Sequence, residues 1–173
     1  MQQASRRNTG RSASSRTAKP QPKDAIALLK ADHRQVAQWF EEFEKSRSDA
    51  KKADLAGRIC QALTVHATIE EEIFYPAFLE ATGDDDMHHE AEVEHAGAKN
   101  LIAQIEASGP EDDYFDAKVK VLSEMIKHHV KEEEQREGMF AEAKASDMDL
   151  VALGAQMQQR KTELEASGKK RAN

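Results

Sequence analysis

Between Asp24 and Glu133 the chain repeats one pattern four times. Apolar residues step by three and four, and each run is closed by a short stretch of turn-forming residues. Ile26, Leu29, His33, Val36, Phe40 and Phe43 make the first stripe, with Asp24 as a plausible N-cap and Ser46-Arg47-Ser48-Asp49 as its stop. Leu55, Ile59, Leu63 (or Ala62), His66, Glu70, Ile73 and Ala77 make the second, which Pro76 should bend or loosen before the turn at Thr82-Gly83-Asp84-Asp85-Asp86. Ala91, His95, Ala98, Ile102 and Ile105 form the third, ending at Ser108-Gly109-Pro110, with Pro110 suited to an early position of the next helix. The fourth is Phe115, Val119, Leu122, Ile126, His129 and Glu133. That periodicity belongs to helices with one buried face, not to strands.

Four amphipathic helices on short turns must pack antiparallel to their neighbours. The sequence therefore predicts an all-α protein, an up-down-up-down four-helix bundle over residues 24–145. Gly138 in "QREGMF" predicts a kink, a bulge or a break between Gln135 and Met139, since glycine is a poor helix former. Ser146 with Asp149 resembles a capping box and would open an additional short helix over 146–166, through Val151, Met157 and Leu164. That helix would lie on the bundle or pair with another copy as a homodimer. The last residues, 167–173, read as a frayed tail.

Each stripe contains one histidine, and the four lie at matched depth. In an antiparallel pair, residues equally far from the connecting turn sit side by side. The midpoint of His33 and His66 falls between Asp49 and Ala50, that of His66 and His95 between Glu80 and Ala81, and that of His95 and His129 at Asp112. All three lie at or near predicted turns. At 1.5 Å per residue, the four imidazoles should share one layer about 22–25 Å from those turns.

Two of the four bring a carboxylate. His66-Ala67-Thr68-Ile69-Glu70 and His129-Val130-Lys131-Glu132-Glu133 both space histidine and glutamate by four, which makes them neighbours on a helix face. A buried carboxylate is costly unless it is paired or ligates a metal. Convergence of His33, His66, Glu70, His95, His129 and Glu133 in an apolar core therefore points to a metal centre. His128 and Glu132 share the same spacing, but the line through residues 115, 119, 122, 126 and 129 is the more regular. Glu71, Glu72, Glu132 and Glu134 read as solvated flanks or groups that back the ligands, and His88 and His89 as surface residues.

"KADHRQV", "VHATIEEEIFYP", "EVEHAGAK" and "HHVKEEE", in that order, resemble the hemerythrin-like family, the HHE cation-binding domain. The resemblance covers about residues 24–144. It implies a non-haem centre of two iron ions, bridged by the two carboxylates and an oxo or hydroxo oxygen. It also implies binding or sensing of dioxygen, peroxide, nitric oxide or iron. The oxygen-carrying members supply five histidines, whereas this chain offers four histidines and two glutamates. The alternatives are a peroxide-decomposing di-iron enzyme, or a metal-stabilised structural bundle that recruits a partner. The ferritin-like pattern of two Glu-x-x-His pairs and the His-Glu-x-x-His protease motif are absent.

Composition bears on partners and compartment. Residues 1–23 hold six cations (Arg6, Arg7, Arg11, Arg16, Lys19 and Lys23) and no acid, so the formal total of −7 leaves −13 on the remainder. So acidic a body should repel nucleic acid. The basic segment reads as a solvated arm without the apolar run of a secretory signal. No apolar run approaches the ~18 residues of a membrane span. The expected protein is cytoplasmic, with a small diatomic molecule or peroxide as its ligand. Cys60 is the single cysteine, read as a buried, inert thiol.

Overall fold

The computed structural model describes residues 24–171, so the basic arm at 1–23 and the last two residues lie outside it. Seven helices are present among the described residues: α1 (Ala25–Lys45), α2 (Asp49–Ile69), α3 (Tyr75–Thr82), α4 (Asp85–Glu106), α5 (Phe115–Glu134), α6 (Met139–Ala145) and α7 (Leu150–Arg171). A π-helical turn, Glu70–Phe74, joins α2 to α3 without interrupting the rod. The bundle thus has four rods: α1, α2 with α3, α4, and α5 with α6. They take the expected up-down-up-down order, and α7 lies across α1, α2 and the π turn.

The helix ends are set by local chemistry. The Asp24 carboxylate accepts from Ala27 N–H at 2.7 Å, the Ser48 hydroxyl from Lys51 N–H, and the Asp84 carboxylate from Met87 N–H. Each satisfies a donor that a helix start leaves free. Gly83 closes α3 at φ +72°, the left-handed conformation that glycine adopts without steric cost.

Three details differ from the sequence reading. Pro110 sits within the turn between α4 and α5 and not in a helix, because Asp112 organises that turn through Tyr114 N–H and Phe115 N–H. Asp149 caps α7, accepting from Ala152 N–H, whereas Ser146 ends α6. Finally, α7 continues past 166 to Arg171, through residues expected to fray. Buried Met157, the Lys161–Asp32 ion pair and the two-pronged Arg160–Glu72 pair hold α7 against the bundle, while Val151 faces solvent instead of the core.

The core has two apolar clusters with a polar layer between them. One, near the α1–α2 and α4–α5 turns, contains Phe40, Phe43, Leu55, Ile59, Ile105, Phe115 and Leu122. The other contains Ile26, Leu29, Ile69, Phe74, Phe78, Phe140 and Met157. Each such side chain contributes about 1.5–3 kcal/mol on full burial. Cys60 is buried in the first cluster, and burial, with the nearby Glu106 charge, pushes its thiol up to about 12. The thiol is buried, as expected.

Candidate metal centre

The polar layer between the clusters is where the six singled-out residues meet. His33 comes from α1, His66 from α2, His95 from α4 and His129 from α5; Glu70 opens the π turn and Glu133 lies in the last turn of α5. All six are buried, the two carboxylates almost totally. The imidazoles form two pairs: His33 Nε2 lies 3.1 Å from His66 Nε2, and His95 Nε2 lies 3.3 Å from His129 Nε2. The carboxylates cross between the pairs. Glu70 reaches His66 Nε2 at 3.2 Å with Oε1 and His95 Nε2 at 3.4 Å with Oε2. Glu133 reaches His33 Nε2 at 3.4 Å with Oε2 and His129 Nε2 at 3.6 Å with Oε1.

Two donor groups result: His33, His66, Glu70 and Glu133 on one side, and Glu70, His95 and His129 on the other. His129 and Glu133 are buried in the layer, whereas His128 is largely exposed and lies with Glu132 and Glu94 in a separate, outer group. His89 is exposed as expected. His88 is not a free surface group: its ring packs edge-on against Tyr75 at 5.9 Å.

The outward nitrogens set the direction of the rings. His33 Nδ1–H donates to Glu134 Oε1 at 2.8 Å, His95 Nδ1–H to Glu71 Oε1 at 2.9 Å, and His129 Nδ1–H to Glu94 Oε2 at 2.7 Å. His66 Nδ1 faces Asp32 Oδ2 at 3.6 Å. A carboxylate can only accept, so the proton of these rings belongs on Nδ1 and the Nε2 lone pair points inward. This is the arrangement by which metal-ligating histidines are oriented and made more basic. Glu71 and Glu134, flanks or backing groups in the sequence, hydrogen-bond the buried imidazoles of His95 and His33 here. Asp32 and Glu94 carry no such signal in the periodicity, although each directly precedes a ligand histidine and reaches the ring of a neighbouring helix.

The layer contains more acceptors than donors. Glu70 Oε1 and Glu133 Oε2 are buried without a hydrogen bond. By protons alone the balance is awkward. Burial works against the His66 imidazolium, yet the Glu70 and Asp32 carboxylates raise it to about 10. Burial and the charge of Glu70 push Glu133 up to about 8, while burial and charged His66 hold His33 down to about 4. A cation resolves the mismatch. Donor atoms 3.1–3.4 Å apart have the spacing of adjacent ligands around an ion at a radius of about 2.1 Å. Imidazole nitrogen with carboxylate oxygen is a set suited to a first-row transition ion.

One further group belongs to the layer, and the apolar stripe does not reveal it. The Tyr75 hydroxyl lies 3.2 Å from His95 Nε2, 3.3 Å from Glu133 Oε1 and 3.5 Å from Glu70 Oε2. The π turn explains why. It inserts one residue into the helical register, so the fully buried positions after Glu70 are Phe74, Tyr75 and Phe78, while the expected Ile73 and Ala77 are only half-buried, Ile73 packing at the edge of the core. The available signal is Pro76, whose missing N–H makes a ladder defect that a bulge can absorb.

Above the rings lies a cavity of about 30 Å³, lined by the four imidazoles with Val36, Leu63, Ala98, Ile102 and Ile126. Its walls are otherwise mostly apolar, with Asp32 and Lys99 at its edge, and the volume suits a molecule of one or two heavy atoms.

Residues 24–141 match the hemerythrin HHE cation binding domain. A crystal structure of a hemerythrin HHE cation binding domain-containing protein from Mycobacterium kansasii superposes with a TM-score of 0.70 at 21% identity, covering 84% of this chain and 89% of that one. A curated relative, named a DNA nickase, from Nostoc sp. is 33% identical over 107 residues, which are 62% of this chain and 30% of that protein. The chain therefore spans under a third of that relative's length. Among the described residues no helix is long and apolar enough to cross a membrane.

Proposed function

This chain belongs to the hemerythrin HHE cation binding family, and from that premise we propose that it holds two iron ions in the buried layer and binds or senses a small ligand there: dioxygen, nitric oxide or peroxide. The observation that carries the reading is the orientation of the layer. Carboxylates turn Nδ1 of the rings outward, and two buried carboxylates are left with oxygens that accept no hydrogen bond. His33 and His66 would hold one ion, His95 and His129 the other, with Glu70 and Glu133 shared. Iron in that position would supply one-electron redox chemistry and open coordination positions.

The remainder is done by the chain's own groups. The two apolar clusters exclude bulk water from both ends of the layer. The small cavity beside the rings has room for a diatomic molecule. Tyr75 is the hydroxyl group aimed at the layer, where it can donate a hydrogen bond. That residue favours peroxide decomposition as the second reading. The nicking activity named for the Nostoc protein is not carried over, because the shared segment is a minor part of that protein and residues 24–173 are strongly acidic.

The test is metal analysis of protein purified without chelators, followed by visible spectra of the ferrous-loaded protein on exposure to air and to nitric oxide. About two irons per chain and new absorption with either gas are expected. An iron-loaded sample that is silent to both gases and inert to peroxide overturns the redox reading. Loss of peroxide consumption in Tyr75→Phe, with iron content unchanged, selects the enzymatic alternative.

A further inference from the structure

Four carboxylates back the buried histidines, and three of them are balanced by a lysine. Glu134 pairs with Lys30 at 3.0 Å, Glu71 with Lys99 at 2.6 Å, and Asp32 with Lys161. The fourth, Glu94, pairs with no lysine or arginine among the described residues. Its partners are His129 on the inside and His128 on the outside, and His128 also meets Glu132. Glu90 adds further negative charge near Glu132. At this corner the outer ring of charge is incomplete.

The groups gathered there repeat the inner site one residue earlier. Glu94, His128 and Glu132 directly precede His95, His129 and Glu133 on the same two helices, so α4 and α5 present a second donor set, rotated toward solvent. His128 Nε2 lies 3.5 Å from Glu94 Oε1 and 3.1 Å from Glu132 Oε1. Those separations are the edges of a coordination polyhedron of about 2.1 Å radius, and the three donor atoms form one group. We propose that Glu94, His128 and Glu132 form an outer, solvent-facing site for a divalent transition ion, separate from the buried centre.

One imidazole and two carboxylates leave room for water ligands, so the outer ion exchanges readily and binds more weakly than an ion in the core. Glu94 makes the connection. Its Oε1 is free for the outer ion while its Oε2 keeps the hydrogen bond from His129 Nδ1. The outer ion thus stands where lysine stands at the other three corners. It offers a cation a first point of attachment beside the buried layer.

Equilibrium dialysis of the full chain against Zn²⁺ tests this, with bound metal counted for wild type, His128→Ala, Glu132→Gln and Glu70→Ala. Wild type should show one weaker equivalent that both outer variants lose. Glu70→Ala should keep that equivalent whatever happens to the core, so failure of the buried-centre reading is read separately. His128 is 61% exposed, and its truncation leaves the core packing intact. Absence of a weaker class in wild type, or its survival in both outer variants, overturns the proposal.

Discussion

The α2 and α5 segments both deliver an imidazole and, one turn later, a carboxylate to the buried layer, yet the chain leaves that layer in two ways. After Glu70 the helix widens into a π turn and continues as α3. After Glu133 it stops: Gln135 is extended at ψ 168°, and Gly138 is extended at ψ 177° before α6 begins. Both routes return an aromatic ring under the layer. The π turn brings Tyr75 to within 5.4 Å of the His95 ring, and the break brings Phe140 into a stack on His33 at 5.9 Å. One half of the site therefore rests on a hydroxyl and the other on a bare phenyl ring. Duplicated His-x3-Glu motifs do not make equivalent donor groups, because the backbone path beyond each motif decides which side chain lies beneath it.

Removing the carboxylates gives the largest expected effect. Glu70 contributes to both donor groups, whereas Glu133 lies closer to the His33 side than to His129. Glu70→Ala should weaken both positions and Glu133→Ala chiefly one. Each loss should exceed the ~10–100-fold that loss of an outer partner costs. Metal content per folded chain checks this, and equal losses in the two variants would erase the asymmetry.

Proton release comes next. Glu133 is raised to about 8 while Glu70 is held well below the usual carboxylate range, burial raising it but His66 prevailing. At pH 7 the metal-free layer thus holds protons on Glu133 and on His66, which is raised to about 10. A metal needs both groups deprotonated, so lower pH opposes binding. Affinity should rise with pH through 8 and more gently toward 10, with at least two protons released per chain at pH 7, because His95 and His129 are raised as well, burial opposing their charge but the Glu70 and Glu94 carboxylates prevailing. A pH-stat titration with Zn²⁺ measures the number. Glu133→Gln should lower it by about one, and Glu70→Gln should lower it too, because the Glu70 charge helps to raise both His66 and Glu133.

The two exits also differ in what they demand of glycine. A Cβ on Gly138 would lie 2.0 Å from the Glu132 carbonyl oxygen and 2.9 Å from that of Glu133, so Gly138→Ala must shift backbone beside a ligand. It should cost about 1–3 kcal/mol, in the range of overpacked sites. Gly57 in α2 has open space around it, and Gly57→Ala should stabilise by up to ~1 kcal/mol. Denaturant unfolding of both variants gives opposite signs if the break is needed and the rod is not.

Legibility in the sequence divides along the same line. The six inner residues and the bundle can be read because apolar periodicity and matched distances from turns are one-dimensional properties. The break after α5 is legible from Gly138, although its cause is close approach to Glu132 and not backbone freedom. Tyr75 is hidden because an inserted residue shifts the stripe, so that strict periodicity picks Ile73 and Ala77. Asp32 and Glu94 are hidden for another reason: each flanks a ligand in sequence yet serves the histidine of a neighbouring helix. Only the packing of the helices shows that pairing.

The smallest expected effect tests the asymmetry most directly. Tyr75→Phe removes one oxygen from beneath the His95 side and makes both halves of the layer rest on phenyl rings. The hydroxyl is buried, and burial with the Glu70 charge keeps it protonated far above its usual range. It is therefore a hydrogen-bond donor at every working pH. Its loss leaves Glu133 Oε1 without that donor, but the ring still fills its place, so melting temperature and metal content should change little. A ligand taking up the hydrogen bond would lose a net 0.5–1.5 kcal/mol, which is up to about tenfold in affinity. Nitric oxide titration of the ferrous-loaded variant, followed by visible absorption, should show that loss. An unchanged affinity would reduce Tyr75 to packing and leave the two halves distinguished only by their routes out of the layer.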